Sequence, residues 1–84
     1  MKIIYAKRAK EDRAYWEKID VKMIKRIDQL VLDSQRHPFS GMGKPEPLKF
    51  ERAGYWSRRI NQTHRLIYKV EGRIIYIAQC RYHY

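Results

Sequence analysis

The sequence predicts an α+β domain: an N-terminal strand, two helices, then an antiparallel β-meander packed on those helices. Three observations carry this. Met23, Ile24, Ile27, Leu30 and Val31 recur at the i, i+3, i+4, i+7 spacing of one helical face. After residue 48 the chain breaks instead into short β-branched and aromatic runs, separated by Gly54, by the stretch from Asn61 to Thr63 and by Gly72. Strands joined by such short turns pair antiparallel, and amphipathic helices must cover one face of the sheet they form.

Lys2–Ala6 is short and β-branched and reads as the first strand. Lys7–Ile19 turns helical, with Ala9, Ala14, Tyr15 and Trp16 set among charges. Asp20 is placed to cap the second helix, which should stop near Gln35 because Pro38 disfavours helical backbone at His37 and has no N–H to donate. From Pro38 to Pro47 the chain carries three prolines and two glycines, the one long irregular segment, and loops of this length in small domains are often functional. Strands are then expected at Leu48–Phe50, Tyr55–Ile60, Arg65–Val70 and Arg73 to about Tyr82.

In the last of these, Ile74, Tyr76, Ala78, Cys80 and Tyr82 share one parity and are expected to face the helices, with Leu66, Tyr68 and Val70 beside them. The hairpin loop leaves two registers open. A three-residue loop with a left-handed Gly72 sets Lys69 opposite Arg73 and puts Arg65 on the face of Gln79, Arg81 and His83. A two-residue loop at Glu71–Gly72 separates Arg65 from His83, because a one-residue slip flips every side chain. An odd loop at Asn61–Thr63 likewise brings Arg59 beside Arg65, giving an open face with Arg59, Arg65, Arg81 and His83.

Eighty-four residues make one domain, spanning 1–84, and 44% hydrophobic with 13% aromatic residues excludes a disordered tail. Nineteen Lys and Arg against nine Asp and Glu leave a net charge of +10, which predicts a polyanionic partner. One cysteine forms no internal disulfide, and one cysteine with three scattered histidines gives no metal-ligand spacing, so no cofactor is expected. The chain shows neither a signal peptide nor an apolar run long enough for a membrane span, and a reduced, cytoplasmic setting is expected.

From Lys49 onward eight basic residues stand against Glu51 and Glu71. Arginines of one strand parity, interleaved with Tyr55, Tyr82 and Tyr84, fit a surface that binds phosphates and stacks bases. Metal-free cleavage of RNA needs a base for the 2′-hydroxyl, an acid for the departing 5′-oxygen and cations for the charged phosphorane. Glu46 is the only acidic residue between Asp33 and Glu51, and Pro45 and Pro47 restrict its backbone. A lone loop glutamate is ordinarily a solvated charge, and a terminal histidine ordinarily belongs to a frayed tail, yet histidine is the side chain suited to general acid work near neutrality, which makes His83 a candidate. Cys80 falls on the core parity and reads as a small buried hydrophobe; His37 and His64 read as a helix exit and a turn.

Gly41-Met-Gly-Lys-Pro-Glu-Pro-Leu-Lys49, Tyr55-Trp-Ser-Arg-Arg-Ile60, His64-Arg-Leu-Ile-Tyr68 and the terminal Cys80-Arg-Tyr-His-Tyr84 closely resemble the YoeB toxins of bacterial toxin–antitoxin pairs, in the RelE/ParE superfamily. The similarity runs from Met1 to Tyr84 and includes Asp12–Glu17. It implies a RelE-like, microbial-ribonuclease-like fold and a ribosome-dependent endoribonuclease that cuts messenger RNA in the A site, against the 16S ribosomal RNA. It also implies an acidic antitoxin of the YefM kind and a toxin homodimer. On matching positions, Glu46 resembles the general base and His83 the general acid. Arg65 resembles the arginine stabilising the scissile phosphate, Lys49 and Arg59 the supporting cations and Tyr84 the tyrosine that positions substrate. Lys7–Lys10 is more basic than the family pattern, and Phe50–Ala53 has no clear match. Two other classes compete with this reading: a non-catalytic inhibitor of the same superfamily, like the ParE toxins, and a plain basic RNA-binding module.

Overall fold

The computed structural model describes residues 1–82. The chain runs β1 (Lys2–Tyr5), α1 (Lys7–Ile19), α2 (Val21–Arg36), β2 (Glu46–Pro47), a 3-10 turn (Phe50–Arg52), β3 (Tyr55–Arg59), β4 (Arg65–Glu71) and β5 (Ile74–Gln79). The strands form one sheet in the order β1-β5-β4-β3-β2, with β1 parallel to β5 and every other pair antiparallel. This is the expected strand, helix pair and meander. Among the described residues no helix is long and apolar enough to cross a membrane.

Both helices lie on one face of the sheet. In α2 the buried residues Met23, Ile27, Leu30, Val31 and Ser34 repeat at helical spacing, and the Asp20 carboxylate caps the start by accepting the Lys22 N–H at 3.1 Å. In α1 only Ala9, Asp12 and Trp16 are buried, because this helix touches the sheet along a narrow stripe. The core joins these residues to Leu66 and Tyr68 of β4 and Ile75 and Ile77 of β5, with Ile3 and Tyr5 of β1 partly buried at its edge.

Three local expectations are corrected. No strand forms at Leu48–Phe50: pairing stops at Pro47, and Phe50 adopts a left-handed backbone, φ 58°, that cannot continue a pleated strand. The last strand ends at Gln79 rather than near Tyr82. Its core parity is also reversed at the start: Ile75 and Ile77 are buried among the helices, while Ile74 and Tyr76 face the other way and are half-buried.

The cause is a register different from both that the sequence left open. Glu71 pairs with Ile74 across the two-residue loop Gly72–Arg73, which sets Val70 opposite Ile75 and Tyr68 opposite Ile77. The register then slips, because Ile67 pairs with Gln79 and Ala78 is left as the extra residue of a bulge. The bulge turns the remaining residues over, so that Cys80 returns to the core and Gln79 shares a face with Ile67. Both parities of Ile74–Ile77 are apolar, so hydrophobicity by itself does not choose between them.

Truncation distinguishes the two faces. Ile77→Ala should lower the unfolding free energy by about 2–5 kcal/mol, the cost of a buried cavity, and Ile74→Ala should cost far less. Urea unfolding of both variants measures the difference, and equal losses would contradict the observed register.

Candidate active site

The segment between α2 and β2 has almost no regular structure, and a buried guanidinium holds it. Arg58 is fully buried, on the helix-facing side of β3. Its Nε donates to the Tyr68 hydroxyl at 3.0 Å, one terminal nitrogen donates to Asp33 Oδ2 at 2.7 Å and to the Met42 carbonyl at 3.0 Å, and the other donates to the carbonyls of His37 and Ser40. The Tyr68 hydroxyl in turn donates to the Pro38 carbonyl at 2.7 Å, and burial raises its pKa so that it serves as a neutral phenol. Asp33 also accepts the Met42 N–H at 2.9 Å; that bond, followed by the bond from Arg58, holds its carboxyl below the ordinary aspartate value.

Two glycines let the loop come this close. A Cβ on Gly41 would sit 2.3 Å from Asp33 Oδ2, and one on Gly43 would meet Leu30 Cδ2 at 2.9 Å, with both backbones at positive φ. The Gly43 carbonyl accepts the Arg59 N–H at 2.7 Å, which aligns the chain for β2 three residues before Glu46. Pro45 just before β2 and Pro47 within it, with no N–H groups, fit the strand at the edge of the sheet among the described residues.

Glu46 pairs with Ser57, Ser57 with Ile67 and Ile67 with Gln79, so these four form one row across the face turned away from the helices. Arg59 pairs directly with Arg65 in the next row of the same face. The structure thus brings Glu46, Arg59 and Arg65 to one side of the sheet, with Glu46 and Arg59 exposed and Arg65 half-buried. Lys49 joins Glu46 and Arg52 in lining a groove of about 400 Å³ at the β2 edge. Arg65 donates through one terminal nitrogen to the carbonyls of Asn61 at 2.7 Å and His64 at 3.1 Å, which fixes the side chain. Two like charges facing each other across strands are unfavourable, and an anion between them relieves the cost.

His83 and Tyr84 lie outside the described residues. The chain immediately before them is held: Cys80 donates its N–H to the buried Asp12 carboxylate at 3.0 Å, its carbonyl accepts Trp16 Nε1–H at 2.9 Å, and the Tyr82 carbonyl accepts the Arg65 N–H at 3.0 Å. Burial, then the Asp12 charge, pushes the Cys80 thiol up to about 12, so it serves as a packed hydrophobe and not as a nucleophile. Arg81 does not join the open face. Because it lies beyond the end of β5, strand alternation does not govern it, and its guanidinium stacks 3.4 Å from the Tyr15 ring centroid and 4.4 Å from that of Tyr82.

A family model described as the YoeB-like toxin of bacterial type II toxin–antitoxin systems matches residues 5–84. The chain belongs to that family. It is 48% identical over 84 residues to the toxin YoeB of Escherichia coli strain K12, covering all of both chains. It superimposes on a YoeB/ParE toxin from Agrobacterium tumefaciens with a TM-score of 0.97 at 43% identity over all of both chains. YoeB of Staphylococcus aureus has been solved in a heterotetrameric complex with the antitoxin YefM (TM-score 0.92) and as a dimer (TM-score 0.93). Each match has 45% identity and covers 100% of this chain and 98% of the other. The chain is therefore a YoeB toxin of a toxin–antitoxin system.

Sequence reasoning counted Arg58 only as one of eight basic residues after residue 48 and gave it no structural role, yet it is the buried cation that holds the loop. The same reasoning assigned no role to Arg52 or Gln79. Arg52 reaches from the 3-10 turn to donate to Gln79 Oε1 at 3.3 Å, and Gln79 donates onward to the Arg81 carbonyl at 3.1 Å. This partly closes the face over the buried Ile67. The only advance signal was a lone polar residue, Gln79, in an apolar strand.

Arg58→Met should destabilise the fold by about 3–5 kcal/mol, because it leaves several acceptors and a carboxylate without their cation. A loss below about 1 kcal/mol in urea unfolding, the size of a surface pair, would show that the clamp is dispensable. The lowered Asp33 pKa adds a sign. Its contribution is present above the unfolded value of 3.8 and drains away as pH falls through the lower folded value. An Asp33→Asn variant should lose less stability across that window than the parent, which an acid titration of unfolding measures.

Proposed function

We propose that this YoeB toxin, acting as one domain over residues 1–84, is a ribosome-dependent messenger RNA endoribonuclease that arrests translation by cutting in the A site. The observation that carries the reading is the common sheet face of Glu46, Arg59 and Arg65, where two arginines in register wait for an anion beside a carboxylate.

Glu46 takes the proton of the ribose 2′-hydroxyl, and the resulting oxygen attacks the adjacent phosphorus. The bond from phosphorus to the 5′-oxygen breaks, and His83 gives that oxygen its proton. The products are a 2′,3′-cyclic phosphate and a free 5′-hydroxyl; water can later open the cyclic ester to a 3′-phosphate. Arg65 meets the negative charge that builds on the phosphorane oxygens, while Lys49 and Arg59 hold flanking phosphates and Tyr84 positions the cut nucleotides. Every proton transfer and charge contact is assigned to a side chain, so the step invokes no metal ion and no cofactor.

The net charge of +10 favours both the ribosomal RNA surface and an acidic antitoxin segment. The S. aureus complex and dimer support a cognate YefM-like antitoxin and a toxin homodimer here. A substrate held on ribosomes places the toxin in the cytoplasm.

Glu46→Ala, Arg65→Ala and His83→Gln should each reduce cleavage by about 10²–10⁴-fold, the usual loss on removing a group that acts in the transition state. Primer extension on messenger RNA from a translating extract, with and without ribosomes, measures this. Parental cutting by the Glu46 and His83 variants would remove the assignment, and growth arrest with no cut messenger would favour a non-catalytic inhibitor.

A further inference from the structure

We infer that His64 is a positioning residue: its imidazole Nδ1 fixes the backbone at Tyr82, the residue immediately before the proposed general acid in the sequence. The inference rests on the ribonuclease reading for its consequence, but its geometry stands independently. His64 Nδ1 accepts the Tyr82 N–H at 2.8 Å, and the next residue of β4, Arg65, donates its own N–H to the Tyr82 carbonyl at 3.0 Å. One dipeptide therefore grips both sides of Tyr82. That residue needs such a grip, because its backbone is left-handed, φ 67°, a conformation that side-chain-bearing residues adopt only when their surroundings hold them there.

The imidazole is itself oriented. It forms a T-shaped pair with the Trp16 ring, centroids 4.8 Å apart at 81°, and Trp16 is anchored by its own bond to the Cys80 carbonyl. Accepting at Nδ1 requires that this nitrogen carry no proton. The Asn61 side chain holds the turn beneath, accepting the N–H groups of Thr63 at 2.9 Å and His64 at 2.7 Å. The arginine assigned to the phosphate and the residue that holds Tyr82 are thus neighbours in the chain at the entrance to β4, and a shift of either moves the other. Errors of about an ångström in such placement cost on the order of 10²-fold in rate.

Two variants separate the acceptor from the ring. His64→Phe keeps an aromatic edge against Trp16 but has no acceptor, whereas His64→Asn loses the ring and keeps an oxygen close to the place of Nδ1. Amide hydrogen exchange on the purified toxin should show the Tyr82 N–H deprotected in His64→Phe and protected in His64→Asn, with Ile75 and Ile77 protected in both. In a translating extract the Phe variant should lose about 10²-fold in kcat with KM little changed, and the Asn variant should recover most of the cutting. Retained Tyr82 protection in the Phe variant, or equal loss of cutting in both variants, would overturn the inference. If the parent toxin cuts no RNA while the exchange pattern holds, the tether stands and the nuclease reading falls.

Discussion

A single buried guanidinium gives the irregular segment between α2 and β2 its shape. Arg58 collects three backbone carbonyls from a segment that forms no helix or strand of its own, and ties them to the Asp33 carboxylate of α2 and the Tyr68 phenol of β4. A charge taken out of water is costly, and only a complete set of acceptors compensates for it. The loop is therefore constrained far more tightly than its glycine and proline content implies, because any other path leaves the cation without partners. An apolar residue in its place leaves these acceptors unpaired and does not specify where His37, Ser40 and Met42 lie.

Strand alternation connects this clamp to the candidate site. Arg58 and Arg59 are adjacent, so they point to opposite faces of β3. The first organises the loop from the helix side. The second stands on the open face opposite Arg65, in the row next to Glu46. Through the Gly43 carbonyl and the Arg59 N–H, the same strand also aligns the loop with the sheet. One short strand thus supports the carboxylate from beneath and supplies a cation beside it.

The other end of the site is assembled by long-range contacts of a different kind. Cys80 is held by Asp12 and Trp16 from α1, and Tyr82 by His64 and Arg65 from β4. Residues far apart in the chain meet here because the parallel placement of β1 beside β5 brings α1 over the end of the meander. A basic surface built this way presents unbalanced positive charge on a rigid floor, which suits a polyanion that is bound and then released.

The sequence by itself determined the order of elements, the core face of α2 from Met23 to Val31, the cap at Asp20 and the singling out of Glu46 between its two prolines. These follow from local rules of periodicity, capping and backbone restriction, which act within a few residues. Tertiary structure alone decided the register of β5. A two-residue loop and a bulge at Ala78 reverse the faces of Ile74–Ile77 and then restore them for Gln79 and Cys80, and an apolar run on both parities carries no trace of either event. It also decided that Arg58 is interior while Arg59 is not, that Phe50 turns instead of extending, and that His64 anchors the chain end. Those outcomes depend on which partners a fold brings within hydrogen-bonding distance, and residue identity does not encode distance.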